Sequence, residues 1–195
     1  MKVALKSLLG NWDIGYALDK HMISSVYLGD DSYGHPKFEN NRTEIGEATY
    51  RLKYKNDWSQ VVPLAKAIAE SIYTRLTDVG LLIPMAASTT RPRQPVNAVT
   101  RELGRLVNCP VFENLLFKAS GGKSLKNLHT KNEKIQALSE KGFSVTDEIS
   151  TAGQWNALVI DDLYHTGASM EEACKVLKTY PKIGRIYVAT LTWRG

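Results

Sequence analysis

Cysteine is scarce. Cys109 and Cys174 are the only two in 195 residues, and no CxxC pair occurs. That excludes both a zinc ribbon and a disulfide framework and leaves two reduced, buried thiols as the expectation. Long hydrophobic runs are missing too. No apolar stretch reaches the roughly 18 residues of a spanning helix, and Met1 to Asn11 has neither the apolar segment nor the small-residue cleavage site of a secretory leader. The chain is therefore expected in the cytoplasm, with no membrane partner. The formal charge of +5 is spread along the chain, without the dense Lys/Arg block of a nucleic-acid arm. An anionic small molecule accounts for this excess as well as nucleic acid does, so nucleic acid is a possible partner but not the favoured one. Internal repeats and low-complexity tracts are also absent.

What is there suits one α/β domain: 43% hydrophobic and 23% charged residues, in a chain long enough for a core with a small extra subdomain. Residues 1–57 show little periodicity and read as an N-terminal hood or cap. Within them His21 to Leu28 and Thr49 to Lys55 have the alternation of short strands, and Gly29 to Gly34 reads as a turn. Residues 58–195 read as the core. Apolar residues from Val61 to Leu76 recur at helical spacing, and Leu81 to Ile83 is a short apolar run of the buried-strand kind. Pro95 opens a helix through about Val107, Val111 to Lys118 reads as a strand, and Asn132 to Glu140 as a charged helix. The last third predicts a strand at Ala157 to Ile160, a turn at Tyr164 to Ser169, a helix at Met170 to Tyr180 and a strand at Arg185 to Trp193. Strands alternating with helices predict an open, mainly parallel sheet flanked by helices.

The segment Asn156 to Ser169 carries the chemistry. An apolar strand delivers Asp161 and Asp162 at its carboxyl end, the edge where open α/β sheets bind ligands. The loop Tyr164, His165, Thr166, Gly167, Ala168, Ser169 then supplies backbone N–H groups, two hydroxyls and a helix N-terminus, an anion site suited to a phosphate monoester. Two carboxylates match the two hydroxyls of a vicinal diol. Taken alone, an acidic pair more often ends a strand and caps a helix. Upstream, small residues after Pro84 lead into Arg91 and Arg93, whose planar donors suit pyrophosphate, although arginines beside prolines are often plain surface residues.

Four apolar residues, two acids, three variable residues and Thr-Gly-x-Ser, followed by a helix and a last strand, resemble the phosphoribosyl pyrophosphate signature of type I phosphoribosyltransferases. The resemblance implies that Asp161 and Asp162 hold the ribose hydroxyls and that Tyr164 to Ser169 hold the 5′-phosphate. The order of the pieces is similar to the ComF-like branch. Leu52-Lys53-Tyr54-Lys55 resembles its Lys-Tyr-basic segment, Arg91 to Gln94 its Arg-Gly-x-Asn-Gln run, and Lys118 to Phe143 its basic mobile loop, with Lys134 where an arginine is usual. The cysteine-rich zinc segment of that branch is missing, and the Arg-Gly pair reads Arg-Pro.

The implied activity displaces pyrophosphate from C1 of the sugar by a nitrogen nucleophile, with magnesium as cofactor. Asp161 and Asp162 would meet the metal only indirectly, through ribose or water. Lys53, Lys118, Arg91 and Arg93 would bind pyrophosphate, Gly121 to Lys134 would close over the site on a Gly121-Gly122 hinge, and Asp161 or Asp162 would act as general base. The acceptor is unidentified, and a homodimer is compatible with the chain. Two other readings remain open: a non-catalytic sensor of phosphoribosyl pyrophosphate or a nucleotide, and a ComF-like DNA-handling accessory protein.

Overall fold

The computed structural model describes residues 1–87, 89, 91–118 and 142–194. Its centre is a five-stranded sheet. Strands β2 (Ile14–Lys20), β9 (Ile183–Trp193), β8 (Trp155–Tyr164) and β5 (Val79–Pro84) lie side by side in that order and all parallel, and the short β1 (Lys6–Ser7) adds antiparallel to β2. An isolated parallel bridge from Leu82 to Val111 extends the β5 edge.

Side-chain alternation divides two cores. Leu158 and Ile160 of β8, with Tyr187 and Ala189 of β9, face a layer formed by α1 (Glu44–Tyr54), α2 (Val61–Ser71) and α3 (Pro95–Val107). Ala157 and Val159, with Ile186 and Val188, face α4 (Ala168–Leu177) and the small antiparallel pair β6 (Leu116–Lys118) and β7 (Phe143–Val145). Covered on both sides, the middle strands carry unbroken apolar runs, as Ala157 to Ile160 shows. The mainly parallel sheet flanked by helices is the architecture expected. Cys109 and Cys174 are buried free thiols.

The first 57 residues do not form one unit. Strands β1 and β2 belong to the central sheet, and Ile45, Ala48 and Leu52 of α1 belong to the core. Only the hairpin of β3 (Ser24–Asp30) and β4 (Pro36–Asn41) stands outside the sheet, with Val26, Tyr27, Leu28 and Phe38 exposed. The expected turn at Gly29 to Gly34 overlaps its tip.

Thr49 to Lys55 is not a strand but the end of α1. Thr43 caps that helix, its hydroxyl accepting from the Gly46 N–H at 3.0 Å, and Glu44 and Glu47 sit in the first turn. Ile45, Ala48, Thr49 and Leu52 then fall on one buried stripe at helical spacing, which overrides the local alternation. The strand expected over Val111 to Lys118 is paired only at Val111 and from Leu116 onward. Strand β8 runs to Tyr164, so the two acids lie inside it rather than beyond its end. Helix α4 starts two residues before the expected Met170 and ends at Leu177. The charged helix expected over Asn132 to Glu140 lies outside the described residues. Among those described, no helix is long and apolar enough to cross a membrane.

Candidate functional site

The carboxyl ends of the parallel strands open into one cleft of about 310 Å³. Its lining brings together the β8 end, the loop from Tyr164 to Ser169, the loop after β5, Lys53 from α1, Lys118 from β6 and Thr190 from β9. Because successive strand residues point to opposite faces, Asp161 and Asp162 reach the cleft from the two sides of the sheet. Asp162 lies on the face of Ile160, where Lys53 Nζ sits 2.5 Å from its Oδ2. Asp161 lies on the face of Val159, and its Oδ1 accepts the Asp162 N–H at 2.8 Å. Burial, reinforced by the neighbouring Asp162 charge, pushes the Asp161 carboxyl up to about 7, against the opposing pull of that N–H and of Lys53.

The loop after β8 is built to present donors. Gly167 has φ +82, a conformation that disfavours a side chain, and it caps α4 without a side-chain acceptor. The first intrahelical bond runs from the Glu171 N–H to the Gly167 carbonyl at 2.9 Å. The N–H groups of Ala168, Ser169 and Met170 therefore lack intrahelical acceptors at a helix end that favours anions. Thr166 and Ser169 hydroxyls and the exposed His165 border the same space. Tyr164 has a structural duty as well. Its hydroxyl donates to the Leu9 carbonyl at 3.3 Å and its ring meets Trp12 edge-on at 6.2 Å, tying the phosphate-loop candidate to the N-terminal segment.

Opposite this loop, Arg91 lines the cleft and its Nη1 donates to the Lys53 carbonyl at 3.2 Å. Lys118 also reaches the cleft, with its ammonium 5.1 Å from the Phe143 ring centre. Arg93 does not. It stacks over Trp58, its Cζ 3.9 Å from the ring centre, and is not part of the cleft wall. His21 is half-buried outside the wall, its pKa lowered by burial and by Arg42. Gly121, Gly122, His129 and Lys134 lie outside the described residues.

No family model matches the sequence, and no curated protein matches it. Solved structures do match in three dimensions. The adenine phosphoribosyltransferase of Trypanosoma brucei, in complex with AMP, pyrophosphate and ribose-5-phosphate, superposes with a TM-score of 0.50 at 10% identity, over 97% of this chain and 74% of that one. The adenine phosphoribosyltransferase of Leishmania tarentolae gives 0.47 at 10% identity, over 96% and 82%. The orotate phosphoribosyltransferase of Aeropyrum pernix gives 0.40 at 14%, over 83% and 73%. The fold is the type I phosphoribosyltransferase fold.

Within this phosphoribosyltransferase fold, sequence reading missed Thr190, whose β-branched side chain looks like ordinary strand material, and Asn97, which appears only as a polar residue inside α3; both line the cleft. Gln94, already noted beside Arg91, lines it too, its side-chain amide donating to the Thr89 carbonyl at 2.8 Å. The described residues contain no cluster of three or more His, Cys, Asp or Glu able to hold a metal. With Asp162 engaged by Lys53 and Asp161 half-buried, the donor set fits a divalent cation only through ligand oxygens and water.

Proposed function

We propose that this chain binds phosphoribosyl pyrophosphate with magnesium and transfers the phosphoribosyl group to a nitrogen acceptor, releasing pyrophosphate. One observation carries this reading: the loop after β5 with Arg91, the loop after β8 with the start of α4, and the carboxylates Asp161 and Asp162 all line the same cleft. One cleft thus offers candidate partners for each part of the substrate: phosphate, ribose diol and pyrophosphate.

In this scheme the N–H groups at the start of α4, with Thr166 and Ser169, hold the 5′-phosphate. Asp161 and Asp162 accept the ribose hydroxyls. Arg91, Lys53 and Lys118 take the negative charge that develops on departing pyrophosphate. Arg93 contributes through Trp58, steadying the loop. Magnesium would supply positive charge to the departing pyrophosphate when bound with the substrate, and Asp161 and Asp162 would hold it only indirectly, through ribose or water. Of the two acids, Asp161 titrates near neutrality and suits the proton leaving the acceptor nitrogen, whereas Asp162 is held by Lys53. The β3–β4 hairpin, which follows the β2 end at the same sheet edge, is assigned as the hood on the acceptor side. A ComF-like placement rests on the order of the Lys53, Arg91 and Lys118 segments.

Calorimetric titration with phosphoribosyl pyrophosphate and magnesium tests the proposal. Saturable binding is expected for the wild type and is lost when Asp161→Asn and Asp162→Asn are combined. A folded wild-type protein that binds nothing overturns it.

A further inference from the structure

Thr190 and Asp161 are register partners on β9 and β8, so their side chains leave the same face of the sheet. The flanking members of that row, Ala17 and Met85, are apolar. Ala17 pairs with Thr190 from the β2 side, and Met85, next after Pro84, continues the row beyond Asp161, its N–H donating to the Ile160 carbonyl at 2.8 Å. Met170 of α4 belongs to the same apolar layer.

Thr190 is fully buried, and among the described residues its hydroxyl has no hydrogen-bond partner. The other buried threonines are all satisfied: Thr49 donates to the Ile45 carbonyl, Thr100 to that of Val96 and Thr192 to that of Asp162, each at 2.8 Å. A valine fills this volume without burying a lone hydroxyl, so with Asp161 protonated the free protein gains nothing from the oxygen. Yet Thr190 lines the cleft, next to the carboxylate assigned to the ribose.

We infer that Thr190 is a positioning residue for Asp161: when a sugar hydroxyl engages Asp161, the Thr190 hydroxyl donates to the same carboxylate and holds it ionised, one oxygen turned to the ligand. The inference rests on the ribose-binding reading of this cleft. A carboxylate in an apolar row needs donors, and the Asp162 N–H supplies only one. Among the described residues, the charges acting on it are Asp162 on β8 and Lys53 from α1; Asp19 lies one rung along β2, Lys118 of β6 and His165 of the loop after β8 line the same cleft, and β5 and α4 present Met85 and Met170. The Asp161 carboxyl is raised to about 7, so below that value binding must ionise it and the extra donor contributes in full.

The full-length chain, Thr190→Val and Thr190→Ser are titrated with phosphoribosyl pyrophosphate and magnesium at about pH 6 and about pH 8, on either side of that midpoint. At the lower pH, Thr190→Val is expected to bind about tenfold more weakly and Thr190→Ser within about twofold of wild type. The valine deficit shrinks at the higher pH, because there Thr190 already holds the ionised carboxylate in the free protein. Free Thr190→Val melts no lower than wild type at the lower pH, and in the Asp161→Asn background the valine costs nothing further. Equal binding by wild type and Thr190→Val, or equal weakening by valine and serine, overturns the inference. A folded wild type that does not bind overturns the functional reading itself, and the inference falls with it.

Discussion

Lys53 Nζ lies 2.5 Å from Asp162 Oδ2 and joins the last turn of α1 to the end of β8. The side chains are 26% and 15% exposed, so the pair is screened less than a surface ion pair and removal of one partner strands the other in a poorly solvated place. Lys53→Met should therefore lower stability by about 1–3 kcal/mol at neutral pH. In the Asp162→Asn background the same change should cost well under half of that. A double-mutant cycle by urea denaturation measures the difference, and additive losses would mean that the contact contributes nothing.

Asp161 has the opposite effect on the folded state. Its carboxyl rises from the ordinary 3.8 to about 7, so between those values the native protein binds a proton that the unfolded chain has released. Stability then falls as pH rises through that window and levels off above it, a loss on the order of 4 kcal/mol from this group alone. Asp161→Asn should match wild-type stability below about pH 4 and exceed it increasingly toward pH about 7, as melting temperatures across the range will report. A variant less stable than wild type at about pH 8 contradicts the assignment.

Gly167 faces a tighter constraint than its φ of +82 alone imposes. A Cβ there would lie 2.6 Å from the Tyr164 hydroxyl, the atom that donates to the Leu9 carbonyl. Gly167→Ala should cost about 1–3 kcal/mol and disturb the start of α4. Tyr164→Phe removes the Leu9 bond but keeps the ring, and should cost no more than about 1 kcal/mol. Comparing the unfolding free energies of the two variants separates backbone strain from the lost hydrogen bond.

The sequence displayed the last third of the fold clearly, because a strand covered on both faces shows as a continuous apolar run and its loop carries glycine and hydroxyl residues with few other uses. The β3–β4 hairpin was obscure for the converse reason: with both faces exposed, Ser24–Asp30 has no burial pattern to read. Thr49 to Lys55 misled because Tyr50, Leu52 and Tyr54 alternate in that short window, whereas the buried helical stripe through Ile45, Ala48 and Leu52 begins before it. Spatial partners were the least legible. Nothing local to Lys53 points at Asp162, and nothing local to Thr190 points at Asp161, since both neighbours arise only when distant strands and helices pack.

Arg91 and Arg93 looked equivalent in sequence, and their surroundings separate them. Arg91 lines the cleft with its guanidinium steadied by the Lys53 carbonyl, whereas Arg93 spreads over Trp58 outside the wall. If the cleft takes pyrophosphate, Arg91→Ala removes a cation from the ligand and should weaken pyrophosphate binding by about tenfold or more. Arg91→Lys should recover only part of that, because an ammonium lacks the planar fork. Arg93→Ala gives up a cation–π contact worth about 0.5–1 kcal/mol of stability and should change affinity by no more than about twofold. Competition calorimetry with inorganic pyrophosphate reads all three. Equal losses from the two alanine variants would show that the loop binds its ligand in an arrangement other than the one seen here, with Arg93 swung away from Trp58.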